Sequence, residues 1–240
     1  MLRFRPYPGA TIATAIALII LCGLGIWQLE RLQWKQGLIE TVNRNMKAAP
    51  LTVDRLLALD GEAAQYRRVT LTGRFDHARE SYAFSTSAGG EAVYHVLTPL
   101  TLADGRVLLV DRGAVPESRR DPKSRAEGNP QGEGRLTGVW RNPDPPGAFT
   151  PAPDLARHVW YARDVAGIAA AQHLTLAAPV VIEADATPNP GGWPRGGQTV
   201  VEFRNQHLSY AVTWFGLAAC LLGVWLAFHI SRGRLAWGGS

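Results

Sequence analysis

Cysteine is scarce in this chain of 240 residues: only Cys22 and Cys220 occur, each inside an apolar run. The polar middle therefore has no disulfide and no thiolate metal cluster, and must hold together by packing. Also missing are a nucleophile elbow, a phosphate loop, a paired-histidine metal motif and an EF-hand pattern, so the chain is not expected to be an enzyme. His77, His95, His158 and His173 are scattered without ligand spacing and are expected to be surface or satisfied domain histidines. Nor is charge of one sign concentrated anywhere. Residues 31–206 carry 21 Lys and Arg against 19 Asp and Glu, a difference of +2 within a whole-chain charge of +5. A nucleic-acid binder would show a basic stripe, and none is present. Arg3, Arg5, Arg232 and Arg234 stand near the two ends, where anionic lipid is the natural partner.

What the chain does have is apolar length. No formally charged residue occurs over 208–228; about 21 residues at about 1.5 Å each give about 31 Å, the thickness of a bilayer's hydrocarbon core. A second apolar run, 10–29, follows a short basic leader and ends in Gly25-Ile26-Trp27-Gln28-Leu29-Glu30-Arg31 rather than in a small-residue cleavage site. That ending predicts an uncleaved anchor. The expected organisation is a leader over 1–9, a first span over 10–29, an α+β domain over 30–206, a second span over 207–230 and a tail over 231–240. Both ends then lie on one side of the membrane. Arg31, Lys35, Arg44 and Lys47 follow the first span and outnumber the two arginines before it, so the positive-inside rule does not decide the orientation.

On a helical wheel of the second span, His207, Tyr210, Trp214, Leu221 and Trp225 share one side, while Gly216, Ala219, Gly223 and Ala227 share the other. The small-residue side suits close helix packing in a membrane. If it faced the first span, His207 would point away from Arg31. His229 lies 22 residues beyond His207, about 33 Å along one helix, too far for both to clamp one haem. It is expected to anchor the far interface beside Arg232 and Arg234.

Between the spans the period changes. The first helix continues through Met46, and a short helix with a cap at Thr52 covers 52–59. Alternation predicts strands over 69–75, 82–86, 93–102, 107–112, 135–140, 158–162, 179–184 and 200–203, with a helix over 165–172. Asp104-Gly105 marks a hairpin turn. Asp111-Arg112-Gly113 reads as a strand end. Residues 117–134 read as an exposed excursion, 143–153 as a proline-rich crossing and 186–198 as a Gly- and Pro-rich linker. The fold class is a transmembrane helical hairpin flanking an extramembrane α+β domain of mainly antiparallel strands, with a partly closed barrel among its options.

His207 is the candidate for chemistry, because an ionisable group at the mouth of a span points to function. With Tyr210 and Trp214 it suits an interfacial aromatic belt. Spacing alone favours that belt, but His207 also suits a porphyrin site, which needs an axial imidazole, an apolar slot and cations for the propionates. Arg31 and Lys35, at a similar depth on the first span, could supply those cations.

The segment Leu24-Gly25-Ile26-Trp27-Gln28-Leu29-Glu30-Arg31-Leu32-Gln33-Trp34-Lys35, the strand Val69-Thr70-Leu71-Thr72-Gly73-Arg74-Phe75, the run from Thr98-Pro99-Leu100 through Val110-Asp111-Arg112-Gly113-Ala114-Val115-Pro116, and the second span's N-Q-H-L-S-Y-A-V-T-W-F resemble the surfeit-locus-one family of cytochrome c oxidase assembly factors. The chain departs from that pattern at Asp111 and Ala114, where family members often carry Asn and Trp. The resemblance implies a two-span inner-membrane protein with its domain on the outer, periplasmic side, and the short leader fits a bacterial member. It implies help in placing haem a in the oxidase's catalytic subunit, with that subunit and the haem a synthesis machinery as partners. It also implies a haem ligand at the second-span histidine, here His207. A scaffold for an oxidase intermediate that binds no haem is the alternative.

Overall fold

The computed structural model describes residues 2–87, 89–199 and 205–237, so the strand expected over 200–203 lies outside the described residues. In chain order the elements are β1 (Leu2–Phe4), α1 (Pro8–Lys47), α2 (Val53–Leu57), α3 (Gly61–Ala64), β2 (Arg68–Phe75), β3 (Ser81–Thr86), β4 (Ala92–Leu102), β5 (Val107–Pro116), β6 (Glu133–Arg141), β7 (Val159–Trp160), α4 (Val165–Ala171), β8 (Leu176–Ala184), α5 (His207–Ser231) and β9 (Leu235–Trp237). They form two compact units: Met1–Thr41 with Glu202–Ser240, and Val42–Val201.

In the second of these units five strands close on themselves. β2 pairs β6, β6 pairs β8, β8 pairs β5, β5 pairs β4, and β4 returns to β2 through Gly73↔Leu102 to Phe75↔Leu100. Closure depends on the length of β4. Its first half pairs with β3, from Thr86↔Ala92 to Ser81↔Leu97, and its last residues pair with β2. β7 then adds to β3 in parallel at Tyr82 and Ala83. The antiparallel expectation holds for most pairs, but β5 and β8 run parallel.

That pair is buried on both faces. Leu108, Val110 and Ile182 join a core with Leu56, Leu71, Leu100 and Trp140, while Leu109 and Val181 point oppositely to Trp160, Val165 and Ile168 of β7 and α4. Continuous apolar runs, rather than alternation, are what such doubly covered strands show.

Two segments, one expected as an exposed excursion and the other as a linker, are packed. Residues 117–130 form tight helical turns, Glu117–Arg119 and Pro122–Gly128, and bury Arg125 to 5% exposure. The guanidinium of Arg125 binds Glu80, so a charge count that reads as a solvated loop conceals a buried partner. In the 186–198 segment Arg195 pairs its backbone with Ala114, and Trp193 packs on the Tyr82–Val96–Val115 cluster. The Arg112 side chain, read from sequence as a strand end, is 2% exposed.

In the other unit α1 and α5 run antiparallel. The described residues hold two helices long and apolar enough to cross a membrane, these two, and most of that apolar surface is exposed rather than buried. The contact side of α5 is the row His207, Ala211, Trp214, Ala218, Leu221, Trp225 and His229, the positions least exposed along the helix. This corrects the small-residue expectation. Gly216, Ala219, Gly223 and Ala227 are exposed, and a Cβ on Gly216 or Gly223 would meet nothing.

The physical reason is polar satisfaction at His207, Trp225 and His229, with the Trp214 indole N–H the exception. In apolar surroundings an imidazole or indole N–H needs a protein partner, so polar groups turn inward. Trp225 Nε1 donates to Thr11 Oγ1 at 3.3 Å, and the small residue that makes room sits on the other helix, where Gly25 lies against the Phe215 ring. At the far end Gly233 takes φ 63°, and Arg234 N–H donates to the His229 carbonyl while Gly233 N–H donates to that of Ile230. This left-handed cap satisfies the helix end and turns the chain back. β9 then pairs with β1, Leu2↔Trp237 to Phe4↔Leu235.

Candidate functional site

His207 is the first residue of α5, and along α1 it comes level with Gln28. Its Nδ1 lies 2.7 Å from Gln28 Oε1. With Oε1 facing the ring, Nδ1 is the donor, and in the neutral imidazole that leaves the lone pair on Nε2. Among the described residues Nε2 has no hydrogen-bond partner. The imidazole is therefore held by one nitrogen and offers the other, the arrangement typical of a metal-ligating histidine.

A cleft of about 250 Å³ opens here, lined by Gln28, Gln206, His207 and Tyr210. Gln28 is 9% exposed, His207 is half-buried, and Tyr210 is 53% exposed. The other predicted residues lie nearby but do not line it. Trp214 sits further along the contact row with its Nε1 buried and unbonded. Arg31, exposed, stacks its guanidinium 4.6 Å from the Trp34 ring centre on its own helix. Lys35 is half-buried. One and two turns separate Arg31 and Lys35 from Gln28, about 4.5 and 10.5 Å along α1.

His207 and Tyr210 are thus brought together, with the two cations following along the neighbouring helix. Gln28 was missed as a site residue. The signal for it was an uncharged amide near the end of an apolar run, which has no outlet in a bilayer unless a polar group meets it.

The fit to a haem iron is specific at one atom and open elsewhere. Nε2 can serve as one axial ligand, and Tyr210 offers an exposed ring beside it. The cleft is smaller than the roughly 300–1,000 Å³ that encloses a drug-sized ligand. A macrocycle ligated here would remain partly uncovered.

His229, by contrast, has no nitrogen to spare. Its Nε2 accepts from the Tyr7 backbone N–H at 3.2 Å and its Nδ1 donates to the Trp225 carbonyl at 2.9 Å, and the side chain is fully buried. It is a structural histidine. Of the domain histidines, His77 is held at both nitrogens, by Glu80 and the Pro130 carbonyl, His95 at Nδ1 by Asp111 at 2.8 Å and His158 at Nδ1 by Gln172, while His173 is exposed. Burial would lower the imidazolium pKa of His95, but the charge and hydrogen bond of Asp111 and the charge of Glu183 outweigh it and hold it above the ordinary value. Among the described residues no group of three or more His, Cys, Asp and Glu could hold a metal ion.

Comparison with known proteins gives relatives across nearly the whole chain. Surfeit locus protein 1 of Takifugu rubripes is 34% identical over 226 residues, covering 88% of this chain and 92% of the relative. The SURF1-like protein of Monosiga brevicollis is 39% identical over 229 residues, 90% of this chain and 86% of the relative. Surfeit locus protein 1 of Homo sapiens is 33% identical over 219 residues, 85% and 72% respectively. The model of the SURF1 family matches residues 15–219, a stretch that takes in Gln28, the whole barrel and His207, and the chain belongs to that family.

Proposed function

We propose that this chain is a non-enzymatic assembly factor for cytochrome c oxidase that binds haem a through His207 and helps to deliver it to the oxidase's catalytic subunit. The observation that carries this reading is the His207 imidazole, proton on Nδ1 and lone pair on Nε2, at the edge of a polar cleft where an apolar helix pair ends. The iron, when bound, supplies the Lewis acid that Nε2 meets. Tyr210 would lie against the ring, Trp214 would support it from within the contact row, and Arg31 and Lys35 would meet the propionates. A site that leaves a macrocycle partly uncovered suits a carrier that must give its cargo up.

The same reading places α1 and α5 in a bacterial inner membrane, with Arg3, Arg5, Arg232 and Arg234 on the cytoplasmic side and the barrel domain in the periplasm, facing the oxidase and the haem a synthesis machinery. The lipid-side charges and the resemblance support it. The alternative, a haem-free scaffold for an oxidase intermediate, draws on the small cleft and on its lining of only one histidine.

An absorption spectrum of the full chain, purified in detergent from cells that make haem a, separates the two. The native chain is expected to carry haem a, and His207→Ala is expected to lose it while inserting normally, because the substitution removes one half-buried side chain from a long apolar helix. No haem in either chain, with an oxidase subunit still co-purifying, would establish the scaffold.

A further inference from the structure

We propose that Gln28 is a positioning residue for His207: by accepting the Nδ1 proton, its Oε1 selects the one tautomer whose Nε2 can ligate a metal. The inference rests on the haem reading above and extends it to a residue that acts through the ligating imidazole.

Four observations carry it. First, Gln28 is buried and belongs to the less exposed side of α1, in line with Gly25, so its amide faces the other helix rather than solvent. Second, the 2.7 Å separation is at the short end for an N–H···O bond. The other tautomer would set the Nδ1 lone pair against the Oε1 lone pair at that distance, and would place a proton on Nε2 where the metal must bind. Third, the two residues are 179 positions apart in sequence, so the bond sets the rotation of the ring only when the two helices are paired. Fourth, His229 serves as an internal comparison on the same row of the same helix. Both of its nitrogens are bonded to backbone, whereas His207, among the described residues, is held at Nδ1 alone.

The choice of an amide has a consequence. A metal-bound imidazole that donates to a carboxylate becomes a stronger, more anionic ligand. Donation to the neutral Gln28 leaves the imidazole a moderate ligand, which favours a cofactor that is held and then released.

The test uses the full-length chain with haem a from cells that make it. Gln28→Met keeps the side chain's length but accepts no comparable bond. Gln28→Lys can only donate, which forces the proton to Nε2. Gln28→Glu accepts with either oxygen. Membrane yield is followed for each, and haem loss is timed against excess haem-free globin. The Met and Lys variants are expected to lose haem about 10–100-fold faster than the native chain, the usual penalty for removing such a partner. Gln28→Glu is expected to keep haem at least as long, with a lower reduction potential because the axial imidazole is more basic.

A general packing role would harm all three alike; only an acceptor role reverses sign between Lys and Glu. Should Met and Lys fail to insert, the potential of Gln28→Glu decides the matter alone. Native spectra and native loss rates in the Met and Lys variants, or an unshifted potential in Gln28→Glu, would overturn the inference while leaving His207 as ligand. A native chain without haem would overturn both readings.

Discussion

Glu80 is the residue on which the barrel domain's buried charges converge. It is 5% exposed and receives Arg125, Arg112 at 3.5 Å, His77 at 3.3 Å and the Tyr82 hydroxyl at 3.3 Å. Burial pushes its carboxyl up, but the hydrogen bonds of His77 and Arg125 and the charges of Arg125 and Arg112 outweigh that and hold it below the ordinary value. Burial likewise brings the Arg112 guanidinium down to about 10 and pushes the Tyr82 phenol up to about 12. Two arginines share one carboxylate, so Glu80→Ala would leave both buried with only neutral partners such as Asn129 and backbone carbonyls. We expect a loss of about 3–5 kcal/mol of domain stability, measured by urea unfolding. Little of this was legible in sequence. Glu80, Arg112 and Arg125 are far apart along the chain, and each type usually lies at the surface. Asp111 meets His95 in the same unforeseeable way.

At the scale of elements, the seam between α1 and α5 is decided by where large polar-tipped side chains find partners. The helix lengths and apolar runs were readable because a bilayer-length stretch without charge has few alternatives. The facing was not, since a wheel shows two distinct sides without saying which one meets a neighbour. The structure makes the two kinds of glycine separable by experiment. A Cβ on Gly25 would lie 2.7 Å from the Phe215 ring, whereas one on Gly223 would meet open space. Gly25→Val is therefore expected to weaken the helix pair, lowering the thermal midpoint of the detergent-purified chain and loosening the Gln28–His207 register. Gly223→Val is expected to leave both unchanged. Equal damage from the two would mean that the small-residue side carries a contact after all.

At the scale of the whole molecule, Val42–Val201 forms its own compact unit with a closed barrel and three buried apolar clusters. A fragment of that extent is expected to unfold cooperatively by itself, with stability falling at both ends of its pH range. On the acid side the lowered pKa of Glu80 contributes fully above the unfolded value of about 4.3 and is lost as pH falls through the lower folded value. On the other side the raised pKa of His95 contributes fully below the unfolded value of about 6.5 and is lost as pH rises through the higher folded value. Unfolding free energy measured against pH checks both limbs. Glu80→Gln should flatten the first and His95→Gln the second, and a fragment that melts without cooperativity would show that the barrel needs the helices.

Sequence alone determined the features that depend on composition over a continuous stretch: two apolar helices, short strands between them, the Asp104-Gly105 turn, and His207 as an ionisable group at the mouth of a span. Each follows from local periodicity and from the cost of placing charge in hydrocarbon. Tertiary structure decided whatever required two distant stretches to meet. It closed the barrel through β4, set β5 parallel to β8, folded the arginine-rich 117–130 segment onto Glu80, and turned the imidazole row of α5 toward α1. Those outcomes depend on pairings between residues tens to hundreds of positions apart, which no one-dimensional pattern encodes. The contact of His207 Nδ1 with Gln28 Oε1, 179 residues earlier in the chain, is the smallest of them.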